Sequence, residues 1–124
     1  MTVPILKQGD CLIASIQGAL SDTEVIELRD EITERIGMLR SRGVIVDVAA
    51  MDVIDSFVAR SLRTIALTAK LRGAETVIVG IQPDVAVAMV HFELNLEPLH
   101  TALDLEEGLA LLDSLIGGFA ANGR

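Results

Sequence analysis

The chain alternates short β-branched apolar runs with longer stretches whose apolar residues recur at helical spacing. The opening reads as two short strands, residues 3–6 and 11–17, separated by the turn chemistry of Gln8-Gly9-Asp10. In the second strand Leu12, Ala14 and Ile16 alternate with Ile13 and Ser15, and Gly18 ends it. Ser21 precedes Glu24 by three residues, the spacing of a capping box. Val25, Leu28, Ile32, Ile36 and Leu39 follow at three- and four-residue intervals, one face of an amphipathic helix. Gly37 weakens its last turn, and Gly43 is the expected terminator.

Val44-Ile45-Val46-Asp47-Val48 and Thr76-Val77-Ile78-Val79-Gly80-Ile81 have the composition of central parallel strands covered on both faces. Between them residues 56–72 have helical period and run into Gly73, so strand, helix and strand form a right-handed crossover. Farther on, Pro83 suits a first helical position, with Val85, Met89 and Phe92 expected to face inward. Pro98-Leu99-His100-Thr101 reads as a brief edge strand. Asp104 and Glu107 open a last helix carrying Leu105, Leu109, Leu112 and Leu115, and residues 117–124 look like a frayed tail. The order β-β-α-β-α-β-α-β-α predicts a single α/β domain, a central mixed β-sheet with about four helices.

Composition narrows the function classes. At 124 residues, 51% hydrophobic and 23% charged, the chain suits one globular domain. The net charge of −8 argues against a phosphate-backbone binder. With no Trp or Tyr and only Phe57, Phe92 and Phe119, a base-stacking platform lacks material, so nucleic acid is not expected as a partner. The charge is uneven. Residues 1–72 hold nine basic and ten acidic residues, a net of −1, and residues 73–124 hold one and eight, a net of −7. A partner that docks by charge meets two different faces. Cys11 is the sole cysteine, so no internal disulfide forms and a reducing compartment is the simple reading. Lys7 alone, with an apolar stretch broken by Gln8-Gly9-Asp10, does not match a secretory signal. No apolar run approaches the ~20 residues needed to span a bilayer. A cytoplasmic protein without a membrane partner is the expectation.

The usual chemistries find little support. His91 and His100 have no second ligand at metal spacing, and Cys11 has no basic neighbour to hold a thiolate. Phosphate-loop and nucleophile-elbow motifs are absent. Asp47, Asp52 and Asp55 follow a strand, as the phosphoacceptor of a receiver domain does, but no lysine follows Lys70 to neutralise a phosphate. Neither an enzyme, a metal site nor a cofactor is expected.

Ser56 remains. It opens the helix of residues 56–72 behind Asp55, and either residue type makes an N-cap worth about 1 kcal/mol. The same place suits a phosphate, because free backbone N–H groups and the positive dipole end point at it. At about 100° per residue, Arg60 lies roughly 40° from Ser56 and Arg63 roughly 20° to the other side. Leu67 and Lys70 continue the stripe, opposite a core face of Val58, Leu62, Ile65, Ala66 and Ala69. Asp55, Ser56, Arg60, Arg63, Leu67 and Lys70 are therefore the candidate docking surface. No base is placed beside Ser56, so another protein would have to modify it.

Asp52-Val53-Ile54-Asp55-Ser56-Phe57-Val58-Ala59 resembles the phosphorylation segment of STAS-domain proteins, the anti-sigma-factor antagonist family. Gly80-Ile81-Gln82-Pro83-Asp84-Val85-Ala86-Val87 and Thr101-Ala102-Leu103-Asp104-Leu105-Glu106-Glu107-Gly108-Leu109 are similar to stressosome scaffold subunits of the RsbS type. The resemblance implies a STAS domain over residues 4–116, with the same element order. It implies a non-enzymatic antagonist of a serine/threonine switch kinase of the RsbT type, assembled with itself and with larger STAS-containing paralogues in a cytoplasmic stressosome. Phosphorylation at Ser56 would release the kinase, and a phosphatase would reset the serine. Related single-domain proteins instead bind an anti-sigma factor directly and are phosphorylated by it at the matching serine.

Overall fold

The computed structural model describes residues 3–97 and 99–117. Strands β1 (Ile5–Gln8) and β2 (Cys11–Ser15) form an antiparallel hairpin. Helix α1 (Asp22–Leu39), strand β3 (Gly43–Asp47), helix α2 (Ser56–Leu71) and strand β4 (Glu75–Val79) follow. Helix α3 (Pro83–His91), strand β5 (His100–Ala102) and helix α4 (Leu105–Ile116) complete the expected order. The five strands lie in the order β1-β2-β3-β4-β5, and all pairs after the hairpin are parallel.

Because side chains alternate across a strand, this register divides the core in two. Leu12, Ala14, Val44, Val46 and Ile78 point to one face, where Leu28 and Ile32 of α1 and Leu62 and Ile65 of α2 bury against them. Cys11, Ile13, Ile45, Val77 and Val79 point to the other, where Leu112 of α4 covers them. Each such Val, Leu or Ile side chain stabilises by roughly 1.5–3 kcal/mol on burial. Helix α4 lies so close that a β-carbon at Gly108 would sit 2.6 Å from Val79 Cγ1. Only glycine fits there.

Several boundaries differ from the expectation. The hairpin register Ile5↔Ala14 to Gln8↔Cys11 leaves Gly9 and Asp10 as a two-residue turn, which carries β1 to Gln8. Strand β2 ends at Ser15, although Ile16 stays buried and its N–H reaches the Asp47 carbonyl. Helix α1 stops before Gly43: Arg40 takes the left-handed cap at φ 52° and returns its N–H to the Ile36 carbonyl. Arg42 and Gly43 are claimed by the sheet, since both N–H groups bond the Asp10 carbonyl of the hairpin turn. Leu39 consequently lies outside the core. Strand β4 ends before Gly80, whose φ of 83° turns the chain out of the sheet. Of the α4 leucines only Leu112 is fully buried, with Leu109 half-buried and Leu105 and Leu115 more exposed. Strand β5 pairs with β4 alone at the sheet edge, as expected. Pro98, Phe119 and the rest of the predicted tail beyond Gly117 lie outside the described residues. No helix among those described is long and apolar enough to cross a membrane.

Candidate functional site

At the C-terminal end of β3 the chain must cross from the sheet to α2, and an anchor sits at each stage of the loop. The Asp47 carboxylate accepts the Ala49 N–H at 2.9 Å, and the Val48 N–H reaches the Val79 carbonyl at 3.0 Å. Met51 and Ile54 plug into the core, which leaves Asp52 and Val53 pointing outward. Gln82 ties the loop to the start of α3, donating from Nε2 to the Ala49 carbonyl at 2.8 Å and to Asp52 Oδ1 at 3.4 Å.

This tethering decides which residue caps α2. Asp55 has extended backbone, φ −87° and ψ 179°, and its carboxylate accepts the Val58 N–H at 2.8 Å. Ser56 is then the first helical residue, exposed, and no described residue shares a hydrogen bond with its hydroxyl. The carboxylate at the N-cap satisfies the free Val58 N–H, so the hydroxyl next to it is left facing solvent at the positive end of the helix.

Sequence patterning missed the cleft beside it. A groove of about 530 Å³ runs between this loop and α3. Val53 and Ile54 form one wall, and Val85, Ala88, Phe92 and Leu94 form the other. Asp52, Asp55 and Asp84 stand with Ser56 around it. Phe92 was expected in the core with Val85 and Met89, both of which are buried. It is 69% exposed instead. The reason is that α3 ends at His91, Phe92 becomes its C-cap, and Glu93 at φ 56° swings the chain away. The ring rests edge-on against His91, centroids 5.0 Å apart. The signal in the sequence was Val53, an apolar residue set between aspartates.

The predicted core face of α2 is buried in full, from Val58 to Ala69. On the opposite side Arg60, Leu67 and Lys70 are exposed. Arg63 departs from the stripe: it is half-buried and donates from Nε to the Glu97 carbonyl at 3.1 Å, pinning the segment before β5. Lys70 Nζ lies 3.9 Å from Glu75, a surface pair of little energetic weight.

The remaining candidates take structural places. Cys11 is buried, and burial pushes its thiol up to about 12, slightly offset by the Ile45 backbone, so it stays protonated and unreactive. His100 is half-buried with Nε2 3.5 Å from Glu75, whereas His91 is exposed. Among the described residues no group of three or more His, Cys, Asp or Glu could hold a metal ion. What the site offers chemically is an exposed hydroxyl at the positive end of a helix, where an added anionic group is favoured.

Comparison with known proteins places this architecture. Residues 2–108 match the STAS domain. A solved RsbS from Moorella thermoacetica, carrying a serine-to-glutamate substitution, is 36% identical and superposes with a TM-score of 0.79 over 93% of this chain and 97% of that one. A chain from a structure of the stressosome, described as a signal integration and transduction hub, is 35% identical with a TM-score of 0.73, covering 91% and 98%. RsbRD of Bacillus subtilis (strain 168), an RsbT co-antagonist protein, is 24% identical over 111 residues, 89% of this chain. The chain spans only 40% of that relative's length. Fold order, sheet topology and these matches agree, and the chain belongs to the STAS domain family.

Proposed function

We propose that this protein is a non-enzymatic regulatory scaffold that holds a serine/threonine switch kinase within a stressosome and releases it when Ser56 is phosphorylated. The observation that carries the reading is the exposed hydroxyl at the first position of α2, spared from capping by Asp55. The likeness to RsbS and to a stressosome chain supports the assembly, and the match to RsbRD supports larger STAS paralogues as neighbours in it.

The physics of release is simple. A phosphate adds about −1.5 to −2 charge at neutral pH. Around the groove it joins Asp52, Asp55 and Asp84, so a kinase seated there meets like charge and a bulkier rim. A coupling of only about 1–3 kcal/mol changes affinity roughly 5–150-fold. A phosphatase acting on Ser56 restores the original surface. Direct antagonism of an anti-sigma factor would use the same serine, and the identity to RsbS favours the kinase.

A pull-down with the cognate kinase tests the reading. Ser56→Ala retains the kinase in the presence of ATP, and Ser56→Asp captures it poorly. Equal capture by wild type and both variants overturns it.

A further inference from the structure

At the opposite end of the parallel strands, where α1 and α2 finish, three of the chain's ten basic residues line one small pocket. Arg40, Arg42 and Arg72 stand around a cavity of about 280 Å³, and no carboxylate lines it. In a chain of net charge −8 this is a marked inversion of sign.

Each residue reaches the pocket for a definite reason. Arg40 holds the left-handed cap of α1 at φ 52°, a conformation in which an L-residue other than glycine is strained. Arg72 caps α2 and lies across α1 at Gly37, where a β-carbon would collide with its Nη2. The bare α-carbon of Gly37 is therefore the seat of the Arg72 guanidinium. Arg42 is anchored, donating from Nη2 to the Ile116 carbonyl at 2.6 Å, and adds its charge from the rim. Among the described residues the guanidinium groups of Arg40 and Arg72 have no hydrogen-bond or ion-pair partner. Ser41, 3% exposed, belongs to the same lining, and its buried hydroxyl has no partner either. A buried polar group left unpaired is costly, so an oxygen-rich ligand has something to satisfy.

We infer that this pocket binds a small oxyanion of the phosphate class, free or as a phosphomonoester. Arg40 and Arg72 supply charge-assisted donors in the geometry that suits phosphate oxygens, and Ser41 supplies a hydroxyl. The pocket is too small for most drug-sized ligands, which take roughly 300–1,000 Å³, and ample for a phosphate head. The negative dipole ends of α1 and α2 also favour cations here, so arginines that only neutralise helix ends are the competing explanation. The site is independent of the switch at Ser56. It lies roughly 24 Å away along α2, which has 16 residues.

Amide NMR of the full chain tests the site, with inorganic phosphate in one titration and glycerol phosphate in another, each against chloride at matched ionic strength. Saturable shifts centred on residues 40–43 and 72–73 are expected. Inorganic phosphate alone saturating identifies the free anion, and tighter binding of the ester identifies a phosphorylated metabolite. Two variants keep the fold while emptying the site. Arg40→Gly leaves the residue best suited to the left-handed cap, and Gly37→Ala favours the helix while displacing Arg72. Each should weaken binding roughly tenfold, the value of one charge-assisted hydrogen bond. Shifts that do not saturate with either ligand, or affinities unchanged in both variants, overturn the inference and leave the arginines as helix-end charges.

Discussion

Ser21 and Ser56 stand one residue apart in role at the starts of two helices that lie side by side on the same sheet face. Ser21 is an N-cap. Its hydroxyl accepts the Glu24 N–H at 3.1 Å, and Glu24 Oε1 accepts the Ser21 N–H at 2.9 Å. That reciprocal pair consumes the serine. At α2 the cap has moved one residue earlier, to Asp55, and the serine behind it keeps its hydroxyl free. The lesson is that a serine at a helix start keeps its hydroxyl available when its neighbour takes over the structural work. The same shift sets it beside an apolar groove with an acidic rim.

The largest contrast should appear in partner binding. Ser56→Asp should weaken kinase capture by about tenfold or more in a titration, within the range of ordinary coupling energies. Ser21→Asp should leave capture unchanged, because aspartate is itself a good cap. Loss of capture with the second variant and not the first would assign the switch to the wrong helix.

Stability should show the reverse order. Ser21→Ala should cost about 1 kcal/mol in urea unfolding, as should Asp55→Ala, whereas Ser56→Ala should stay within about 0.5 kcal/mol. A cost for Ser56→Ala equal to that of Ser21→Ala would mean that its hydroxyl caps after all.

The smallest effect concerns pH. The Ser21 backbone N–H holds the Glu24 carboxyl below the usual glutamate range. A depressed native pKa means that the unfolded chain binds more protons at acid pH. The contribution is therefore complete above the ordinary glutamate value and fades as pH falls through the lowered one. Glu24→Gln should flatten that part of the acid limb of the unfolding curve, and an unchanged limb would remove the capping box from the account.

Much of the scaffold is legible in the sequence. The spacing of Val58, Leu62, Ile65 and Ala69 identifies the buried face of α2, and the β-branched runs identify β3 and β4, because burial on both faces permits little else there. Which of two adjacent cap formers does the capping is not legible. Asp55 and Ser56 have similar propensities, and the loop tethered by Met51, Ile54 and Gln82 settles the matter through the backbone at Asp55. The groove is equally hidden, since residues 53–54 and 85–94 meet only when that loop reaches α3. At the end of α1, Gly43 carries the stronger local signal, yet hydrogen bonds to Asp10 draw it into β3 and leave Arg40 to bend the chain. Local patterning cannot see a bond to a residue more than thirty positions back.

The proposed switch requires that charge be installed at one hydroxyl, at the mouth of α2. Mass spectrometry of the intact chain after incubation with its kinase and ATP, followed by peptide mapping, reads this directly. A single added phosphate is expected, on Ser56, with no incorporation into Ser56→Ala. Phosphate on Ser21 or elsewhere, with Ser56 unmodified, would contradict it.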